Sequence, residues 1–353
     1  MSSNQITAAE IRQAVRDNAE LRERDLANRL AISEAQIVAA FCGDGARHIE
    51  ADVKRIFPEL EALGEVMALT RNESAVHEKI GAYDKVRMSA HGPIVLGEQI
   101  DLRIFGQRWR YGFAVERRDR KGELRRSLQF FDAAGDAVHK IHMRPQSSLD
   151  AFDRLSEKLR LADQPETLAI GAKTTEPASG AAATIADYQE LHRLWSAMTD
   201  VHQFPGITRK LGLTRLEAVR MIGDAFAWRL DGDCVFQCLT GAAETQLPIM
   251  CFVGNDGCIQ IHSGPISNLK AMGPWLNVMD PTFHLHLRCD HIVETWAVRK
   301  PTKDGHVTSL EAYDGRGRLI IQFFGKRMEG RVERQEWRAL VESLPHSPRS
   351  SAA

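Results

Sequence analysis

The sharpest chemical signal in the chain is Met198-Thr199-Asp200-Val201-His202-Gln203-Phe204-Pro205-Gly206. Asp187 with Glu190 predicts a capped helix whose apolar stripe runs Leu191, Trp195, Met198 and His202, with Pro205-Gly206 ending it. That spacing sets His202 on a buried or cleft-facing stripe at a helix C-terminus. An imidazole so placed can ligate a metal through one nitrogen while an acceptor holds the other. It can also be a histidine favoured by the helix dipole or satisfied in a core, and spacing alone does not separate these readings.

Strand-like spacing supplies further candidates. In Asp101-Leu102-Arg103-Ile104-Phe105, alternation sets Leu102 and Ile104 on one face and Arg103 with Phe105 on the other. An arginine beside an aromatic can cover a flat anionic ligand, although a strand arginine is more often simply solvated. Three cations fall late in the chain: Arg215, Lys300 in Val298-Arg299-Lys300-Pro301-Thr302, and Arg327 in Phe324-Gly325-Lys326-Arg327. Guanidinium forks and ammonium point charges suit carboxylates or phosphates, but each alone reads as a surface charge. His284-x-His286 has a zinc-compatible spacing without a convincing third and fourth ligand. Cys234 and Cys238, four apart on a predicted strand Cys234 to Leu239, read as core cysteines. There is no Gly-rich nucleotide loop, no Gly-x-Ser-x-Gly elbow and no paired-carboxylate motif.

The elements that must hold these residues occur twice. Ser127-Leu128, Phe131-Asp132 and Gly135 recur 182 residues later as Ser309-Leu310, Tyr313-Asp314 and Gly317. Leu102, Ile104, Phe113 and Val115 recur 183 residues later as Leu285, Leu287, Trp296 and Val298. A repeat of that length is a domain rather than a solenoid unit, and a cleft between duplicated halves is the expected place for a ligand. Each copy opens with helices: Thr7 with Glu10 caps the first, and Leu26 to Phe41 gives a helical pair whose copy spans Ile207 to Val219. Alternating strands joined by Gly-containing turns follow, and hairpin spacing favours antiparallel pairing. The expected fold is α+β and internally duplicated, two similar halves each with a large antiparallel sheet and helices. The first repeat is placed at 1–162, a Pro/Ala/Gly/Thr-rich linker at 163–184, the second repeat at 185–344 and a disordered tail at 345–353.

Composition narrows the class. Lys plus Arg (46) nearly balance Asp plus Glu (47), so bulk charge offers no attraction to nucleic acid or anionic membrane. No apolar stretch approaches the roughly 18 to 20 residues of a membrane span, and the six cysteines lack paired loop spacings, which together predict a cytoplasmic protein with free thiols. Asp25 to Ser33 with Ile37 resembles a helix-turn-helix DNA reader, but its recurrence and the near-zero charge favour a structural helical pair.

Six pieces together resemble one family, the cytoplasmic hemin-degrading or heme-trafficking proteins of Gram-negative heme-uptake operons. They are Ala68 to Glu73 with Val76-His77-Glu78, Asp101 to Phe105, Thr199 to Phe204, Trp275-Leu276-Asn277-Val278, Val298 to Thr302, and Phe324 to Gly330, in order along almost the whole chain. The resemblance implies a duplicated fold with heme against the second half. It places the axial iron ligand on His202, the distal and catalytic arginine on Arg103 with Phe105 beside it, and heme contacts on Arg215, Phe252, Lys300, Gln322 and Arg327. The tyrosine that some members carry near the last motif is Phe324 here. The implied activity is to accept imported heme and degrade it to release iron, with an external electron donor such as a NAD(P)H-dependent reductase or ascorbate. The alternative is a non-catalytic heme chaperone delivering to a separate heme oxygenase, and a DNA-binding regulator is a more remote reading. Implied partners are heme, an inner-membrane heme importer and an oxygenase or reductase; a homodimer is compatible with the sequence.

Overall fold

The computed structural model describes residues 6–89, 92–119, 121–172, 185–327 and 330–347. Two compact units emerge, and they are not two uninterrupted stretches. The first comprises the chain to Arg71, Glu78–Thr174 and Gly254–Gln260; the second comprises Asn72–His77, Thr175–Val253 and the chain from Ile261.

The first unit opens with α1 (Ala8–Asp17), α2 (Glu23–Leu30) and α3 (Glu34–Ala39), and carries α4 (Val53–Ile56) and α5 (Leu149–Lys158). Its strands are β1 (Ala46–Ile49), β2 (Val66–Arg71), part of β3 (Ala75–Gly81), β4 (Val86–Ser89), β5 (Gly92–Leu96), β6 (Asp101–Ile104), β7 (Tyr111–Arg118), β8 (Leu124–Phe131) and β9 (Ala137–Met143). An antiparallel run has the order β1-β7-β8-β9-β2, and a second runs β4-β5-β6. Phe57, Leu60, Leu63, Phe130, Ile141 and Phe152 fill the core between sheet and helices.

The second unit repeats the plan. It has α6 (Ile185–Ser196), α7 (Phe204–Leu211), α8 (Arg215–Met221), α9 (Cys234–Glu244) and α10 (Gln335–Glu342). Its strands are β10 (Ala227–Leu230), β11 (Ile249–Gly254), β12 (Cys258–Gly264, shared with the first unit), β13 (Leu269–Met272), β14 (Trp275–Met279), β15 (Phe283–Arg288), β16 (Glu294–Thr302), β17 (Gly305–Tyr313) and β18 (Leu319–Gly325). The corresponding antiparallel orders are β10-β16-β17-β18-β11 and β13-β14-β15. The expected α+β duplication is therefore present, down to its turns. Asp132 Oδ1 accepts from the backbones of Ala134 and Asp136, and Asp314 Oδ1 does the same for Arg316 and Arg318. The turn glycines Gly135 and Gly317 have φ of 75° and 77°, a region costly for any residue with a Cβ. Both hairpins shift register at the equivalent place, Phe130/Phe131 and Ala312/Tyr313.

Several local expectations are corrected. Cys234 to Leu239 is the start of α9 rather than a strand. Its apolar residues Cys234, Val235, Cys238, Leu239 and Ala242 make one buried helical stripe, a pattern that a six-residue window cannot distinguish from a strand. The segment from 163 begins packed on the first unit: Gln164 donates to the His48 carbonyl and accepts from its N–H, and Leu168 is buried. The rest of the expected linker, 173–184, lies outside the described residues. Of the expected tail, His346 bridges to Leu230 and stacks near Trp228, while 348–353 lie outside the described residues. Among the described residues, no helix is long and apolar enough to cross a membrane.

Candidate functional site

The polar centre of the second unit is a residue that the motif reading passed over. Strand alternation sets Ser309, Glu311 and Tyr313 on one face of β17, and the register places Gln322 of β18 opposite Glu311. Glu311 is completely buried. It accepts from Arg215 Nε and Nη2 (2.8 Å each), Lys300 Nζ (2.6 Å), Ser309 Oγ (2.7 Å), the Tyr313 hydroxyl (2.5 Å) and Gln322 Nε2 (2.9 Å). Burial opposes a charge on Glu311, but Arg215 and Lys300 overcome it and hold the carboxyl well below its usual range. Burial pulls Lys300 down to about 8, against the carboxylate that favours its charge. Two cations facing one anion leave the cluster with a net positive charge. The Phe204 ring lies 5.0 Å from the Arg215 guanidinium carbon and 5.2 Å from Lys300 Nζ, a cation–π support for both. Lys300 is 3% exposed, whereas the Arg215 side chain keeps 27% exposure, so Arg215 is the member of the pair that can meet a ligand.

His202 stands elsewhere than its stripe predicts. Leu191, Trp195 and Met198 are buried as expected, but α6 stops at Ser196 and His202 sits on a separate 3-10 turn, Val201–Gln203, with its side chain 87% exposed. Pro205 explains the difference: it occupies the first turn of α7, where its missing N–H costs nothing, so Pro205-Gly206 starts a helix instead of ending one. The turn is closely held. Asp200 Oδ1 accepts the His202 backbone N–H (2.8 Å) and pairs with ring Nδ1 (2.7 Å), while Gln203 Oε1 accepts the N–H groups of Thr199 and Asp200. The His202 backbone N–H, with its ring and Arg327 adding to it, holds the Asp200 carboxyl below the usual range. The ring's Nε2 is thus left to solvent.

Apolar surface completes this unit's set. Phe252 and Phe324, both half-buried, meet edge to face with centroids 5.1 Å apart, and Phe252 lies opposite Gln322 in the β11–β18 register. Met328 and Glu329, the last residues of that motif before Gly330, lie outside the described residues. Arg103 and Phe105 belong to the first unit. There Leu102 and Ile104 are buried and Arg103 is 34% exposed on the opposite face of β6, paired with Asp101. His286 Nδ1 meets Asn277 Oδ1 at 2.6 Å, and among the described residues no group of three or more His, Cys, Asp or Glu could hold a metal ion.

The first unit fills the equivalent places with a different set of charges, and only the place of Arg215 changes sign. The repeat equates Glu311 with Gln129, Gln322 with Lys140, Lys300 with Arg117, and, through the matching capping boxes Ser33/Gln36 and Thr214/Glu217, Arg215 with Glu34. There Lys140 donates to Glu34 (3.0 Å) and Glu23 (3.4 Å), and Arg117 donates to Glu23 (2.7 Å). Arg24 also lies 3.9 Å from Glu34, so three cations share two carboxylates there, and Leu21 stands where His202 would be.

The fold and its charged clusters define a duplicated α+β protein whose two copies carry different polar centres. The family model described as "Haemin-degrading HemS.ChuX domain" matches the chain twice, over residues 31–159 and 212–344, and the chain belongs to that family. The hemin transport protein HmuS of Yersinia pestis is 38% identical over 322 residues, 91% of this chain and 92% of the relative. The structure of holo-PhuS, a heme-binding protein from Pseudomonas aeruginosa, is 42% identical with a TM-score of 0.90, covering 97% of this chain and 100% of that one. ChuS, the heme degrading enzyme of Escherichia coli O157:H7, is 33% identical with a TM-score of 0.86, over 94% and 97% of the two chains.

Proposed function

We propose that the protein binds heme on its second unit through His202 and degrades it in the cytoplasm, releasing iron. The observation that carries this reading is the exposed His202 imidazole, fixed at Nδ1 by Asp200 and left open at Nε2. Heme asks for an axial imidazole, flat apolar cover and cations for its two propionates. His202, the Phe252/Phe324 pair and the net-positive Arg215/Lys300/Glu311 cluster offer these in one unit, with Gln322 and Arg327 as further polar contacts. Lys300 is too buried to meet a propionate directly. It offsets Glu311, so that the positive charge of Arg215 stays available to an anion. The family resemblance assigns the distal role to Arg103, which would order a bound oxidant, and a heme contact to Phe105. Electrons come from an external donor, a NAD(P)H-dependent reductase or ascorbate.

The carrier reading is favoured by one observation: an imidazole 87% exposed before loading is as well suited to handing heme over as to retaining it. Under it, heme passes from an inner-membrane importer to a separate heme oxygenase. Mixing the protein with hemin, then adding ascorbate and catalase, separates the two. Loss of the Soret band with release of chelatable iron supports degradation; a persistent band, with transfer to an added oxygenase, supports carriage. In either case His202→Ala is expected to shift the Soret maximum and weaken binding, and an unchanged spectrum and affinity would remove His202 as the ligand.

A further inference from the structure

An exposed histidine ordinarily samples several rotamers and both neutral tautomers. His202 does not have that freedom, because one carboxylate oxygen, Asp200 Oδ1, accepts both its backbone N–H and its ring Nδ1–H. The turn beneath is tied independently by the Gln203 side chain to Thr199 and Asp200, and by the Lys303 N–H to the Thr199 carbonyl at 2.9 Å. A proton kept on Nδ1 leaves the lone pair on Nε2, the nitrogen facing solvent. A charged acceptor on the far side of an imidazole also makes the near nitrogen a stronger electron donor.

We infer that Asp200 is the positioning residue of the heme site: it selects the Nδ1–H tautomer of His202, holds the ring ready for iron, and increases electron donation from Nε2. This rests on His202 being the axial ligand, and it concerns a residue that never touches heme. The cost of ordering the side chain is met before the ligand arrives, so the effect reaches affinity as well as electronic structure. The first unit offers an internal contrast, since Leu21 and Ala19 occupy the places of His202 and Asp200 in its copy.

The test uses two substitutions with different consequences. Asp200→Asn keeps a good helix cap and a neutral acceptor for the ring, so it removes the charge and little else. Asp200→Ala removes both. In the heme-free protein at a pH where histidine is neutral, nitrogen-15 NMR of His202 is expected to show the Nδ1–H tautomer in the parent and a shift toward Nε2–H in Asp200→Ala. A parent ring found as Nε2–H would overturn the proposal without heme entering the experiment. In the ferrous heme complex, resonance Raman is expected to show a lower iron–histidine stretching frequency in Asp200→Asn, and heme affinity should fall about 10- to 100-fold in Asp200→Ala, the usual effect of losing such a partner. Frequencies and affinities equal to the parent in both variants, beside an altered His202→Ala complex, would sink the role of Asp200 alone. An unaltered His202→Ala complex would sink the ligand assignment, and this proposal with it.

Discussion

Replacing Glu311 by glutamine tests the electrostatic core of the site most directly. The carboxylate has no exposure and pairs with two partners at once, Arg215 through a two-bond fork and Lys300 at 2.6 Å. Removing one member of a buried ion pair typically costs about 3–5 kcal/mol, because the remaining charge stays out of water. The two partners respond differently. Arg215 cannot shed its proton and carries that cost at every accessible pH. Lys300, already pulled down to about 8 with Glu311 beside it, falls further without it and sheds its proton at lower pH than in the parent. Its folded pKa then lies below its unfolded one over a wider window, in which the unfolded chain binds the extra proton and stability rises with pH. In the parent this window opens near pH 8; in the variant it opens below that. Urea unfolding followed by far-ultraviolet circular dichroism is therefore expected to show a deficit of about 3–5 kcal/mol at pH 7. That deficit should shrink by up to about 1 kcal/mol between pH 7 and pH 8, since the parent gains a little over the same interval. Adding Lys300→Met to Glu311→Gln should remove this pH dependence. A variant within about 1 kcal/mol of the parent, with no pH dependence, would refute the claim that Glu311 holds both cations, since surface changes stay near that range.

Three further outcomes are expected. Arg103→Ala should reduce the rate of ascorbate-driven Soret loss more than it changes heme affinity, and equal rates would take Arg103 out of the reaction. In the first unit, His139 is buried with its Nε2 on the Tyr83 hydroxyl and its Nδ1 on the Thr70 hydroxyl, and burial lowers its pKa to about 3. As pH falls from about 6.5 the unfolded chain takes a proton that the folded one refuses, so this group should remove about 2 kcal/mol of stability by pH 5, and His139→Phe should lose that part of the slope while buried His142, lowered to about 4, keeps its own. Finally, burial raises the thiols of Cys238 and Cys258 to about 12 and Cys42 to about 11, while Cys289 alone of the six is half-buried. Iodoacetamide at pH 8 should modify at most Cys289 in the native protein and all six in urea; early labelling of Cys238 would contradict the α9 packing.

The periodic parts of the fold were legible because they rest on local rules. Thr7 with Glu10 does cap α1, and the Asp132 and Asp314 turns lie where their Asp-x-x-Gly spacing sets them. The errors fell where a short apolar run or a proline has two local meanings. Cys234 to Leu239 suits a strand or a helix until a longer stripe is counted, and Pro205 can follow one helix or begin the next. For the site, the residue types at His202, Arg215 and Lys300 were visible, but Glu311 was not. A single acid in Ser-Leu-Glu-Ala-Tyr carries no motif, although a carboxylate in the middle of a strand, if buried, requires polar partners.

By itself the amino-acid order determined that the chain is a tandem duplication, where most of its strands lie, and which residue types break the symmetry between copies. Those are properties of spacing along one dimension: alternation, helical period and turn chemistry act between residues a few positions apart. Tertiary structure alone decided that Arg215 and Lys300 converge on Glu311, 96 and 11 residues away, and that the same positions in the other copy close on themselves. It also decided that His202 projects outward on Asp200 instead of joining the buried stripe of α6. Burial and long-range charge pairing depend on which surfaces the packed sheets and helices leave open, and no local spacing contains that information.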